Sequence, residues 1–238
     1  MKTLITICGR GGSKGIPGKN IKPINSKPLI AYSIECAIDF SKKHDCIIEL
    51  STDDNEIKNV AAQFGLKTEY IRPAELANDT CGKIDVLSHL LLHAEKKHKA
   101  NFDLILDLDI TSPLRNAEDL ESAFASITKD KNAYNLFSVN PAARNPYFNM
   151  VEQKPDGYYG LVKSADGFLT RQAAPAVYDL NASFYFYRRI FFNDGLRSAI
   201  TPRSLIYVMP HICFDLDHPI DFDFMEFLLT NNKLGFKL

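Results

Sequence analysis

The sequence predicts an α/β fold with a mostly parallel sheet covered by helices on both faces. Three observations predict it. Strand and helix signals alternate through the first half of the chain, which implies parallel strands joined by crossover helices. A glycine-rich basic turn, Gly9 to Asn20, directly follows the first apolar run. Two carboxylate pairs, Asp107/Asp109 and Asp215/Asp217, each close a predicted strand. Ligands of open α/β sheets sit at such strand ends.

The elements follow in order. Thr3–Cys8 is apolar and β-branched and reads as a buried strand. Residues from Pro28 to about Lys43 read as a helix, with proline in the first turn and apolar residues at Leu29, Ile30, Ile34, Ala37 and Ile38. Cys46–Ser51 reads as a strand, 55–64 as a helix closed by Gly65, and 68–71 as a third strand. Ile84, Leu87, Leu91 and Ala94 mark a helix over 84–97. Leu104–Leu108 is a buried strand. The helix predicted over 116–127 has Glu118, Asp119 and Glu121 in its early turns, where acids suit the helix dipole. After Tyr134 the texture changes. Residues 140–190 are rich in aromatics, prolines and short β-like runs, including 183–187, and read as an antiparallel arm inserted in the core. Strands over 205–209 and 213–216 and a helix over 219–229 follow. With no repeat, low-complexity segment or flexible linker, residues 1–238 read as a single domain with an arm.

The chain has 238 residues, enough for an ample core, with 45% hydrophobic and 24% charged residues. A formal net charge of −1 gives no bulk field for nucleic acid or an anionic membrane, so neither is expected as a partner. The five cysteines, Cys8, Cys36, Cys46, Cys81 and Cys213, form no CxxC pair. They read as buried free thiols of a reducing, cytoplasmic setting. The short N-terminal apolar run is not the core of a signal peptide, and no run approaches the ~20 residues that span a bilayer.

The turn Gly9–Asn20 holds five glycines, two lysines and one arginine. Glycines expose backbone N–H groups that cradle phosphates, and the cations neutralise them. It is not a Walker A loop: five residues separate Gly12 from Gly18, and Asn20 stands where a hydroxyl should follow Lys19. Nor is it the dinucleotide fingerprint, whose sixth position is Lys14 here. A third kind of nucleotide loop is expected, with a solvated basic turn as the bland alternative.

Period-two geometry puts both carboxylates of each acidic pair on one face. Hard oxygen ligands there suit Mg²⁺ beside substrate phosphates. For Asp107/Asp109, capping or backbone bonding is an equal reading, since Ser112 and Asn116 also cap locally. His89 and His93 lie four apart but lack the glutamate of a zincin, and read as a solvated face. His211 and His218 flank the second pair. No Gly-x-Ser-x-Gly motif is present, so no serine nucleophile is expected.

The loop Arg10, Ser13, Lys14, Gly15, Lys19, Asn20 resembles the signature of the acylneuraminate cytidylyltransferases, or CMP-sialic acid synthetases. Further blocks keep that family's order: Ser51-Thr52-Asp53, then Arg72 to Thr80, then Thr111-Ser-Pro-Leu-Arg115, then Phe214 to Asp221. They span nearly the whole chain. The resemblance implies a three-layer Rossmann-like nucleotidyltransferase fold with a small β-rich arm for dimerisation. It implies that CTP and a nine-carbon 2-keto sugar acid give the CMP-sugar and pyrophosphate. Gly9, Arg10, Ser13, Lys14, Lys19, Asn20 and Arg72 would bind CTP. Arg10, Lys14, Lys19, Asp215 and Asp217 would be catalytic, with Asp215 and Asp217 holding Mg²⁺. A homodimer is implied, the arm reaching towards the partner's site.

The sugar pocket departs from the sialate members. They carry Gln-Pro where this chain has Asp109-Ile110. An arm lysine gives way to Arg144-Asn-Pro-Tyr147, and an arginine before Asn-Gly gives way to Tyr178-Asp-Leu-Asn181. These variants resemble the branch that takes legionaminic acid, a sialic-acid-like sugar with two acetamido groups. Its N–H groups need acceptors and its methyl groups apolar walls. The expected sugar-binding residues are Asp109, Arg144, Tyr147, Arg171, Gln172 and Asn181, with Asp109 a second metal ligand in the alternative. Arg171, or else Arg144, would take the sugar carboxylate, since a guanidinium matches it bidentately. The alternatives are the same reaction on N-acetylneuraminate or another such sugar, transfer to another acceptor, or a non-catalytic nucleotide-binding protein.

Overall fold

Apolar side chains on both faces of a strand demand helices on both sides, and the computed structural model supplies them. It describes residues 1–12, 15–164, 167 and 171–238, with only the backbone of Arg171. β1 (Thr3–Cys8) leads through the basic loop to a short 3-10 turn, Lys19–Ile21, and a tight pair, β2 (Pro23–Ile24) and β3 (Lys27–Pro28). α1 (Leu29–Ser41), β4 (Cys46–Ser51), α2 (Asn55–Gln63), α3 (Lys83–His98), β5 (Leu104–Leu108) and α4 (Ala117–Lys129) continue the alternation. β6 (Asn135–Pro141) and a small hairpin, β7 (Val151–Gln153) with β8 (Tyr159–Leu161), come next. β9 (Tyr178–Arg188), α5 (Arg189–Asn193), β10 (Ser204–Val208) and α6 (Pro219–Thr230) complete the chain.

The main sheet has the order β10-β6-β9-β5-β1-β4. β1 pairs in parallel with β4 and β5, and β10 with β6, while β9 runs antiparallel to both β5 and β6. The sheet is therefore mostly parallel, as expected. Alternate residues feed two cores. Ile5, Ile7, Leu106 and Phe186 pack with α1 and α4, whereas Leu4, Ile105 and Tyr187 pack with α3 and α5. α2 is capped by Asp54, whose Oδ1 accepts from the N–H groups of Glu56 and Ile57. α4 starts with a capping box between Asn116 and Asp119.

Three expectations need correction. Residues 68–71 form no strand. Their bonds run through a side chain instead, Thr68 Oγ1 donating to the Leu50 carbonyl and accepting from the Tyr70 N–H. Residues 213–216 form no strand either. They are pinned to the loop after β5 by single bonds, including Leu216 N–H to the Thr111 carbonyl at 2.8 Å. Residues 183–187 belong to β9 in the middle of the main sheet, so the part outside it is 142–177 rather than 140–190. That part is aromatic and exposed at Tyr158 and Tyr159. β6 was not expected, because no clean alternation marks it. The five cysteines are free, but only Cys36 and Cys213 are buried as expected; Cys8, Cys46 and Cys81 are half-buried at the ends of elements or in loops. Among the described residues no helix is long and apolar enough to cross a membrane.

Candidate functional site

The C-terminal ends of β1 and β5 open on one cleft of roughly 540 Å³. Among the described residues, seven of the predicted ones line it: Gly9, Arg10, Lys19, Asn20, Arg72, Asp109 and Asp217. The loop after β1 is fixed from several sides. Asn20, nearly buried, donates its side-chain N–H to the Arg10 carbonyl at 2.9 Å. The Gly11 N–H donates to Asp53 Oδ1 at 3.0 Å. A Cβ at Gly11 would stand 2.4 Å from Asp54 Oδ2, so the close approach requires glycine. Arg72, buried, donates Nε to Ser51 Oγ and Nη2 to the Ser51 carbonyl.

The second predicted region meets this loop. Lys19 Nζ donates to the Leu216 carbonyl at 2.8 Å and lies 3.1 Å from Asp217 Oδ1. A Cβ at Gly15 would come within 3.2 Å of the Asp217 carbonyl. Asp217 and His218 are held by α6, their N–H groups donating to Asp221 Oδ2. Asp215 sits deeper. Its Oδ1 is buried without a hydrogen-bond partner. Burial pushes its carboxyl above the ordinary range against the Thr111 side chain, with Asp109 and Asp217 adding repulsion. An orphaned carboxylate oxygen beside a second carboxylate suits a hard divalent cation that completes its shell with phosphate and water. The donor set fits Mg²⁺ in that way. Among the described residues, no cluster of three or more His, Cys, Asp or Glu side chains could hold a metal unaided.

Asp107 and Asp109 do share one face, as the spacing predicts, but a protein cation joins them. Lys83 Nζ is 3.1 Å from an oxygen of each. Burial works against the ammonium, yet the two carboxylates outweigh it and hold its pKa well above the ordinary value. For Asp109, burial is outweighed by Lys83 and by the Thr111 N–H and hydroxyl, which hold the carboxyl below its usual value. For Asp107 burial wins and the pKa rises, although Lys83 opposes it.

Ser13 and Lys14 lie outside the described residues, as does the Arg171 side chain. Arg144 and Gln172 are exposed, and neither lines the cleft. Tyr147 is half-buried, with Lys163 Nζ 5.2 Å from its ring centre. Asn181 is buried and used internally, accepting from Ser138 Oγ and the Ser183 N–H and donating to Asn140 Oδ1. His211 is tied to Asp119 and stacked on Phe236. Tyr70 packs on both His89 and His93.

Among the cleft residues given no role from the sequence are Lys83, Asp79 and Thr111, the last two inside the blocks named above. Asp79 Oδ1 stands 2.6 Å from Arg10 Nη1. The sequence held one clue to Lys83. A lysine in a helix's first turn opposes the dipole, which hints at a partner outside the helix. Cys8 also lines the cleft, but burial pushes its thiol up to about 12, so it offers no thiolate near neutrality.

A family model described as cytidylyltransferase matches residues 4–231. The post-translational flagellin modification protein B of Campylobacter coli is 42% identical over 237 residues, covering 98% of this chain and 97% of that one. The CMP-N,N'-diacetyllegionaminic acid synthase of Campylobacter jejuni is 42% identical over 234 residues, with the same coverage, 98% and 97%. A solved CMP:2-keto-3-deoxy-manno-octonic acid synthetase, complexed with CTP, superposes with a TM-score of 0.69. It covers 98% of this chain and 100% of that one at 18% identity, a likeness of fold.

Proposed function

The chain belongs to the cytidylyltransferase family, and we propose that it transfers CMP from CTP to the anomeric hydroxyl of N,N'-diacetyllegionaminic acid, releasing pyrophosphate. The observation that carries this reading is the meeting of Lys19 with the Leu216–Asp217 segment. It sets the glycine-rich cation loop across from the Asp-Leu-Asp carboxylates, so one triphosphate can touch both. The full-length 42% identity to a synthase of that product supports the sugar.

The protein needs no nucleophile of its own. The sugar hydroxyl attacks the α-phosphorus in line, and catalysis is positioning plus charge stabilisation. Backbone N–H groups of the Gly9 loop, with Arg10, Ser13, Lys14 and Lys19, would hold the phosphates and offset charge on the departing pyrophosphate. Asn20 keeps the Arg10 backbone in place, and Arg72 keeps the end of β4 beside the nucleotide. Asp215 and Asp217 would hold Mg²⁺, which supplies charge neutralisation at phosphate oxygens. Arg10 is engaged by Asp79 in this structure, so an incoming phosphate would compete with that carboxylate.

Of the expected sugar residues whose side chains are described, Asp109 is the one in the cleft. Arg171 remains the candidate for the sugar carboxylate. Arg144, Tyr147 and Gln172 would contribute through the arm, and Asn181 through its hold between β6 and β9. The exposed arm aromatics fit a homodimer interface, and free thiols fit a reducing cytoplasm.

The test is pyrophosphate release from CTP and Mg²⁺ across N,N'-diacetyllegionaminic, N-acetylneuraminic and pseudaminic acids and Kdo. The highest kcat/KM is expected for the first. A higher value for another sugar overturns the sugar, and silence with all of them overturns the reaction.

A further inference from the structure

Asp107 and Asp109 have the spacing of a metal-binding pair, yet the cation between them belongs to the chain. Lys83 Nζ stands 3.1 Å from Asp107 Oδ2 and 3.1 Å from Asp109 Oδ2. Asp107 is enclosed, and its Oδ1 receives Thr6 Oγ1 at 2.9 Å. Asp109 is the member of the pair that reaches the cleft. Its Oδ1 accepts from the Thr111 N–H and hydroxyl at 2.9 and 2.8 Å. A carboxylate offers about four acceptor sites. With Lys83 on Oδ2, three are filled and one remains.

We propose that Lys83 is a positioning residue of the sugar subsite: its ammonium stands where a second metal would sit between Asp107 and Asp109, and it holds Asp109 as an acceptor for an amide N–H or hydroxyl of the sugar. The assignment rests on the functional reading above.

Charge decides which part of the substrates fits there. Two carboxylates around one ammonium leave the floor of the cleft negative. Phosphates and the sugar carboxylate are repelled from it, while neutral donors are favoured. The phosphates would have Arg10 and Lys19, which line the same cleft. Thr111 links the floor to the metal pair, since it donates to Asp109 and lies beside Asp215. A sugar donor bonded to Asp109 would thus be held next to the place where the anomeric hydroxyl must react. Lys83 is no general base, because its two carboxylates keep it protonated. Its place in the first turn of α3, against the helix dipole, is explained by partners on β5.

Lys83→Met alone would strand a buried Asp107 charge and could unfold the protein. The double variant Lys83→Met/Asp107→Asn removes both charges together. A melting temperature close to wild type is expected, with KM for CTP and the half-saturating Mg²⁺ concentration within about threefold. KM for the sugar acid should rise about 10- to 100-fold, the usual loss of a hydrogen bond to a charged group. Lys83→Arg should recover part of it. An unchanged sugar KM makes the triad a core ion pair only and overturns the proposal. So does a shift in Mg²⁺ requirement alone, or an equal rise in the CTP KM, which would assign the floor to the nucleotide. If the double variant does not fold, Asp109→Asn, a partly exposed isostere, must show the same rise in sugar KM, and its absence is equally fatal. Wild-type silence with every sugar acid would fail the functional reading itself, whereas wild-type turnover with unaltered variants fails only Lys83.

Discussion

The Lys19 ammonium lies 3.1 Å from the Asp217 carboxylate although 198 residues separate them in the chain. The glycine-rich loop delivers the cation, and the segment before α6 delivers the anion. Exposed ion pairs of this kind contribute little to stability, and Asp217 is an exposed partner. On the proposed reading, the contact joins the two halves of the CTP site.

Asp217→Ala follows from this. Turnover should fall by about 10²- to 10³-fold, as for loss of a preorganised charge-stabilising group, while the melting temperature stays near wild type. A folded variant of near wild-type activity removes Asp217 from the metal pair. Asp215→Asn should lose activity likewise, and weaker Mn²⁺ binding by calorimetry gives a readout apart from turnover.

Lys19→Met should raise KM for CTP far more than KM for the sugar. Its Nζ also holds the Leu216 carbonyl, so kcat is expected to fall too. An effect confined to the sugar KM contradicts the loop's role.

Gly11→Ala tests the loop's shape without touching a charge. The new methyl would meet Asp54, which cannot retreat cheaply because it caps α2. CTP affinity should drop, with a stability loss of about 1 kcal/mol if the cap is disturbed. Unchanged CTP kinetics would show that the loop tolerates displacement.

Arg115, at the end of the Thr111-Ser-Pro-Leu-Arg115 block, is a buried core brace. Its guanidinium donates to the carbonyls of Ser112, Ser183 and Asp109 and to Ser33 Oγ. Arg115→Met removes these four bonds to a buried, charged donor, although Ser183 Oγ, the Asp109 N–H and Ser33 Oγ still donate to the three carbonyls, and should cost about 3 kcal/mol, read in urea unfolding. A loss of activity with no loss of stability would return Arg115 to the substrate side.

His211 gives a pH signature away from the cleft. Burial lowers its pKa, but Asp119 and the Ile212 carbonyl outweigh burial and raise it above 6.5. The folded state then binds the proton more tightly. The contribution to stability is complete below about 6.5 and is lost as pH rises through the raised value. Stability of His211→Gln should show a flatter profile between pH 6 and 8 than wild type.

Much of the frame was legible because both faces of β1 and β5 are buried, and half of β4, which leaves largely apolar runs in sequence. The cleft was legible where glycines and cations crowd one loop. The strand expected to carry Asp215 and Asp217 does not exist, although Asp217 acts on the Asp215 carboxyl. Lone bonds such as Leu216 to Thr111 leave no periodic signal. The Lys83 contacts were illegible for the same reason, since an ion pair between α3 and β5 depends on how they pack. β9 was hidden because its antiparallel course through the sheet centre looks, in sequence, like more of the arm.

The most direct measurement is a crystal structure of the protein with CTP and Mg²⁺. The account predicts the triphosphate between the Gly9–Asn20 loop and Asp215/Asp217, with Lys19 on a phosphate oxygen and the metal on the two carboxylates. A nucleotide seated elsewhere, or phosphates turned away from both, would contradict it.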